Sequence, residues 1–202
     1  MNPSRFGDGR RRRIGLLGGS FNPAHAGHIH VARQSMRALA LDQVWLMVSP
    51  GNPLKPKAGM APLAVRLTGA RRLADGRRVI ATDIERVLGT RFTAHTLAKL
   101  RRRFPRVAFV FLIGADNLVQ LPRWKSWRRI AASTPLAVLP RPGWTRQALH
   151  GSAASVLRRQ RCRPGALIAG AKRATRPVKW CFVSAREHAA SATAIRAAAL
   201  HP

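Results

Sequence analysis

The chain has 202 residues, enough for one domain with a substantial core, and its 46% hydrophobic content excludes a disordered polycation despite a formal charge of +30. Its longest apolar runs, such as VAFVFLIG, are too short to span a bilayer. The basic-then-apolar start MNPSRFGDGRRRRIGLLGG enters a polar loop too early for a secretory core, and Cys162 and Cys181, outside any CxxC or metal spacing, read as reduced thiols, so a soluble cytoplasmic protein with no membrane partner is expected.

Residues 1–12 read as a flexible basic N-terminus. A first strand is predicted over 13–19, a helix over 26–40 and a second strand over 43–49, followed by the loop PGNPLKPKAGMAP. A helix over 63–76 ends at a Gly stop. A third strand spans 78–85, a helix closed by Pro105 spans 93–104, and strands four and five occupy 107–114 and 135–140. One helix is expected within 145–160, a late strand over 178–183 and a closing helix over 191–200. Strands alternating with helices imply βαβ units, hence an α/β fold with a doubly wound parallel sheet in a single domain. In the common order 3-2-1-4-5 the ligand crevice opens between strands 1 and 4. Two polar loops flank it: GGSFNPAHAGHIH after strand 1 and GADNLVQLPRW after strand 4.

The charge predicts attraction to polyanions, nucleotides and nucleic acid among them. Its carriers are mostly Arg, spread along the chain at helix-like positions, so a solvated Arg-rich surface accounts for them without a specific nucleic-acid face.

The first loop contains no Lys or Arg, and it matches neither GxGxxG nor GxxxxGK[ST]. Gly18 and Gly19 nevertheless let a ligand approach the backbone. A helix starting near Ala26 offers free N–H groups and a positive dipole end. His25 and His28, three apart at that start, can share a face and donate to phosphate oxygens. His30 receives no role.

The segment from Gly18 to His28, GGSFNPAHAGH, resembles the GGSFDPxHxGH motif of nicotinate-nucleotide adenylyltransferases, members of the HxGH nucleotidyltransferase superfamily. The likeness continues in order through NPLKP, TDIER, RFTAHTL, GADNLVQLPRW and the late SATAIR, covering nearly the whole chain. It implies a Rossmann-like nucleotidyltransferase fold and transfer of the adenylyl group of ATP to nicotinate mononucleotide. By the resemblance, His25 and His28 contact the phosphates and stabilise the transition state. Gly18, Gly19, Ser20 and Phe21 shape the ATP loop. Thr193 and Arg196, in a C-terminal segment 184–202, close over the triphosphate; Ser191 as a simple helix cap is the structural alternative. Lys55 either approaches ATP or decorates a loop. For the mononucleotide, Asp116 is implied at the ribose (with a helix-cap role as its alternative), Trp124 on the pyridine ring and Thr93 at the nicotinate carboxylate. Magnesium is expected to arrive with ATP rather than in a protein metal site.

An ionised phosphate nucleophile needs no strong general base, which suits a chain with only seven carboxylates. Backbone N–H groups near Thr93, with little acidic charge around them, are expected to favour a carboxylate over a carboxamide. Three positions depart from the family pattern: Asn22 for the commoner Asp, Phe92 for Tyr, and Ala192 for a Ser. The competing readings are an HxGH adenylyltransferase acting on nicotinamide mononucleotide or phosphopantetheine, and a non-catalytic basic nucleic-acid-binding protein. Oligomeric state is not legible in the sequence.

Overall fold

In the structure, a computed structural model, residues 3, 4, 6–51, 59–169, 178–188, 190, 192, 195 and 196 are described. Six strands run β1 (Arg12–Gly19), β2 (Gln43–Val48), β3 (Val79–Thr82), β4 (Val107–Gly114), β5 (Leu136–Leu139) and β6 (Trp180–Phe182). They form one parallel sheet in the order β3-β2-β1-β4-β5-β6, as the alternating pattern predicts, with β6 added beyond β5.

Strand residues divide by parity between two cores. Ile14, Leu16, Trp45, Met47, Phe109 and Phe111 face one side, where Leu97, Leu100, Leu118 and Ile130 cover them. Leu17, Val44, Leu46, Val110 and Leu112 face the other, under Ala32, Met36, Leu67 and Leu167. The covering residues come from helices on both faces, and a sheet buried on both sides reads as continuous apolar runs. α1 (Ala26–Leu39), α2 (Leu63–Leu73) and α9 (Pro164–Ala169) lie on the second face. α4 (Thr93–Arg103), α5 (Ala115–Gln120), α6 (Trp127–Ser133), α7 (Thr145–His150) and α8 (Ser152–Val156) lie on the first, with the single turn α3 (Ile84–Val87) before α4.

Three sequence expectations are corrected. The third strand stops at Thr82, because the chain turns into α3 and brings Asp83 within 2.6 Å of Arg86, a contact between i and i+3 that an extended strand could not make. The single helix expected over 145–160 breaks at Gly151, which closes α7 and opens α8 in extended geometry. The polar stretch after β4 is not a plain loop. It folds as α5 and a 3₁₀ turn at Leu121–Arg123, because Leu118 and Leu121 are both wholly buried one turn apart.

Three of the seven carboxylates are engaged beside the amino ends of the strands. Asp8 pairs with Arg10 at 2.6 Å, Asp42 pairs with Arg13 at 3.1 Å, and Asp75 accepts the N–H groups of Arg77, Arg78 and Val79. Gly7 in the N-terminal segment lies against the backbone of Arg103. Cys162 and Cys181 are free thiols, and burial pushes Cys181 up to about 12. No described helix is long and apolar enough to cross a membrane.

Candidate active site

β1 ends at Gly19 and the chain reverses through Ser20 to His25 into α1. Phe21 takes a left-handed conformation (φ 49) that costs a bulky residue about 1–2 kcal/mol. Its ring is 2% exposed, stacked 4.6 Å from His28 and above Gly19, so burial offsets the strain. Phe21 therefore shapes the loop from within the core.

His25 is the residue that caps α1, and it carries no side-chain oxygen to do so. His28 Nδ1 lies 3.1 Å from the His25 backbone nitrogen and 3.3 Å from the His25 carbonyl, so one tautomer accepts that N–H and the other donates to that carbonyl. The two rings lie 3.9 Å apart at 41°. The intervening Gly27 has a packing reason: a Cβ there would fall 2.9 Å from the His25 ring and 3.3 Å from the Ala190 carbonyl. His25 Nδ1 is buried and has no hydrogen-bond partner among the described residues.

Burial, with Arg141 and His188 nearby, lowers the His25 pKa; burial, with His25 and Arg141 nearby, pushes His28 down to about 3. Both imidazoles are thus neutral hydrogen-bonding groups in a positive surround. When the chain unfolds, His28 regains an ordinary value of 6.5. Between these pH values the unfolded chain binds more protons, so stability falls as pH drops from 6.5 towards 3, by at most about 1.4 kcal/mol per pH unit for each such group. We expect the melting temperature to fall between about pH 6.5 and pH 4.5, and His28→Gln to flatten that fall. An unchanged slope in the variant would show that His28 does not titrate this way.

A cavity of about 300 Å³ opens at the carboxyl ends of β1, β2 and β4. It brings together Gly18, Gly19 and Ser20 with Thr93, Asp116 and Trp124. Thr93 begins α4, where first-turn N–H groups lack helical acceptors. Asp116 sits in the first turn of α5, whose cap is Gly114; a Cβ on Gly114 would lie 2.3 Å from the Asp116 carboxylate. Trp124 is half-buried, its ring 6.2 Å from Phe111 and steeply tilted to it. Phe92, the residue in place of the family's Tyr, lines the same cavity beneath Lys125, whose ammonium is 4.5 Å from the ring centre.

Phe21, His25 and His28, which follow the Gly18–Ser20 stretch in the chain, are not among the residues lining that cavity. Arg196 reaches the same loop, donating from Nη1 to the Asn22 carbonyl. Lys55 and Thr193 lie outside the described residues, as does most of the closing helix. His30 turns away, its Nε2 2.8 Å from the Arg186 carbonyl.

Four functional features are not read from the sequence. Arg66 on α2 is 4% exposed and donates to the carbonyls of Ala61 (2.8 Å), Ser20 (2.7 Å) and Ser49 (2.8 Å), tying together the ends of β1 and β2. Asn22 donates from its amide to the Gly59 carbonyl at 2.8 Å, a bond that the commoner Asp could not supply. Arg141 and His188 add positive charge beside His25. Glu85, from α3, is 8% exposed and stands in the cavity wall. This corrects the expectation of little acidic charge around Thr93: the chain has few carboxylates, but the turn after β3 delivers one of them there. In a run such as AVRLTGARRL nothing marks one Arg as buried; only the packing of α2 against the strand ends selects it.

The comparisons with known proteins agree with this geometry. A cytidylyltransferase-like family model matches residues 16–198. The chain is 61% identical over 186 residues to a protein of Gluconobacter oxydans described as a probable nicotinate-nucleotide adenylyltransferase, covering 91% of this chain and 93% of that one. It is 55% identical over 197 residues to a protein of the same description from Gluconacetobacter diazotrophicus, covering 96% and 90%. Among solved structures, nicotinic acid mononucleotide adenylyltransferase of Plasmodium falciparum complexed with NaAD superposes with a TM-score of 0.66 at 13% identity, over 93% of this chain and 83% of that one. At that identity the likeness is one of fold.

Proposed function

This chain belongs to the nicotinate-nucleotide adenylyltransferase family, and we propose that it joins the adenylyl group of ATP to nicotinate mononucleotide. The phosphate of the mononucleotide attacks the α-phosphorus of ATP. A new P–O bond forms, the bond to the bridging oxygen breaks, and pyrophosphate leaves with that oxygen's electrons. The products are nicotinate adenine dinucleotide and pyrophosphate, in a step of NAD synthesis, and the enzyme works in the cytoplasm.

The observation that carries this reading is the His25–His28 pair at the start of α1, two neutral imidazoles with no carboxylate paired to either among the described residues. Such donors suit charge that develops on phosphoryl oxygens. In this reading Gly18, Gly19, Ser20 and Phe21 form the ATP side, with Lys55, Thr193 and Arg196 closing over the triphosphate. Thr93, Asp116 and Trp124 form the mononucleotide side. Magnesium would travel on the triphosphate oxygens and supply charge neutralisation there.

The test is pyrophosphate release with ATP and a panel of acceptors: nicotinate mononucleotide, nicotinamide mononucleotide and phosphopantetheine. Turnover with the first, at higher kcat/KM than with the second at neutral pH, is expected. Equal or greater use of the amide would remove the acceptor assignment and leave adenylyl transfer standing. No turnover with any acceptor would overturn the whole reading.

Trp124 has its own expected result. Stacking on an aromatic ring is worth about 1–3 kcal/mol, so Trp124→Ala should raise KM for the mononucleotide by roughly 5–150-fold and leave KM for ATP nearly unchanged. A larger rise for ATP would put the indole on the other substrate. Equal rises with a lowered melting temperature would make Trp124 a packing residue against Phe111.

A further inference from the structure

Glu85 is the feature of the cavity that adenylyl transfer leaves unused. Its carboxyl is buried in the wall that also holds Thr93. The Thr96 hydroxyl donates to Oε1 at 3.2 Å, and Thr96 is itself wholly buried and 2.8 Å from the Thr90 hydroxyl. Thr90 in turn donates its backbone N–H to the Glu85 carbonyl at 2.9 Å. The acid is therefore fixed by α4, the helix that begins at Thr93. Among the described residues no cation lies within ion-pair distance of it, since Arg86 on the same turn is paired with Asp83. The other charged groups lining the cavity are Arg91, Asp116, Arg123 and Lys125, while on α4 Lys99 donates to the Leu88 carbonyl and the His95 ring packs edge-on to Phe92. Burial raises the Glu85 pKa above the ordinary carboxylate value, against hydrogen bonds from Thr96 and Ser49.

We propose that Glu85 is a specificity-determining residue whose carboxyl reads the group on the acceptor's ring, sharing one proton with a carboxylate and accepting an N–H from a carboxamide in its charged form. The inference rests on the pyridine mononucleotide reading above. Two carboxylates brought together in a dehydrated cavity cannot both stay ionised. Binding of the acid acceptor therefore takes one proton from solvent onto Glu85, where it is held between the two groups. The amide needs no proton: its N–H donates to the Glu85 carboxylate. Preference for the acid over the amide is then a function of pH. It falls by about tenfold per pH unit wherever free Glu85 is ionised. The ribose phosphate titrates alike in both ligands and cancels from the ratio.

The experiment measures dissociation constants of nicotinate and nicotinamide mononucleotides by calorimetry from pH 6 to pH 9, in buffers of different ionisation enthalpy. Wild-type protein is expected to show a falling acid-to-amide preference and uptake of one more proton for the acid than for the amide. Glu85→Gln keeps an oxygen for Thr96 and offers an amide N–H to a carboxylate with no proton required. It is expected to show a preference independent of pH, with the acid still tightly bound at pH 9. A wild-type ratio that stays constant, amide binding that is undetectable at pH 9, or a Glu85→Gln variant with the wild-type slope each overturns the proposal. The last result would assign the titration to a group other than Glu85. If Glu85→Gln does not fold, the difference in proton uptake by wild type decides alone. Pyrophosphate release that persists while the ratio is flat removes Glu85 as the reader and keeps the enzyme reading; failure to bind either mononucleotide removes both.

Discussion

His28→Ala is expected to fold and to lose turnover by on the order of 10²–10³, the effect of removing one preorganised donor to transition-state charge. The geometry makes the loss specific. His28 Nδ1 is engaged by the His25 backbone and the low pKa keeps the ring neutral at neutral pH, so donation from Nε2 belongs to the tautomer in which Nδ1 accepts the His25 N–H. His25→Ala should also be impaired, since its ring packs on both His28 and Gly27. Steady-state rates at saturating ATP, on variants with an intact circular dichroism spectrum, provide the check. A His28→Ala enzyme at the wild-type rate would show that phosphoryl charge is stabilised elsewhere.

Arg66→Ala should cost stability and activity together. The guanidinium satisfies three carbonyls in a site where it is 4% exposed, and burial alone lowers its pKa, with no carboxylate to support it. Its removal leaves the carbonyls of half-buried Ser20, Ser49 and Ala61 without their donor, a penalty on the order of 3 kcal/mol. For a chain of this length that is a fall in melting temperature of roughly 6–12 °C. Because Ser20 belongs to the Gly18–Gly19 loop, kcat/KM should fall as well at temperatures where the variant is folded. Arg66→Lys should restore little, since one ammonium cannot reproduce the planar fork. A melting temperature within about 2 °C of wild type, with unchanged kinetics, would mean that the strand ends hold the loop without Arg66.

The sheet was legible because its signal is local and repeated. Strands such as VAFVFLIG are apolar at every position, as a sheet covered on both faces requires, and helical runs separate them. The crevice followed from strand order alone. Errors arose where short local patterns compete. VIATDIE continues a strand-like alternation past Thr82, and only the Asp83–Arg86 pairing reveals the turn. ADNLVQL looks polar until Leu118 and Leu121 are seen to share one buried side. The histidine pair was visible as spacing, and so was Gly27, although its reason is a contact with a ring two residues away. Arg66 and Glu85 were not visible as parts of the site. Their importance comes from being buried, which depends on what the rest of the chain places above them.

The neutral state of the two histidines bears on how the enzyme empties itself. A pair of fixed cations would grip ATP, the strained intermediate geometry and departing pyrophosphate almost equally, and such even binding slows release without speeding chemistry. In the proposed reaction, imidazoles held uncharged by burial and by the positive groups beside them would bind a resting polyphosphate weakly and respond most as negative charge accumulates. In a chain carrying +30, the long-range field can gather anions while the contact groups stay easy to leave. On the proposed reading, capture and turnover would be divided between the surface arginines and the two rings.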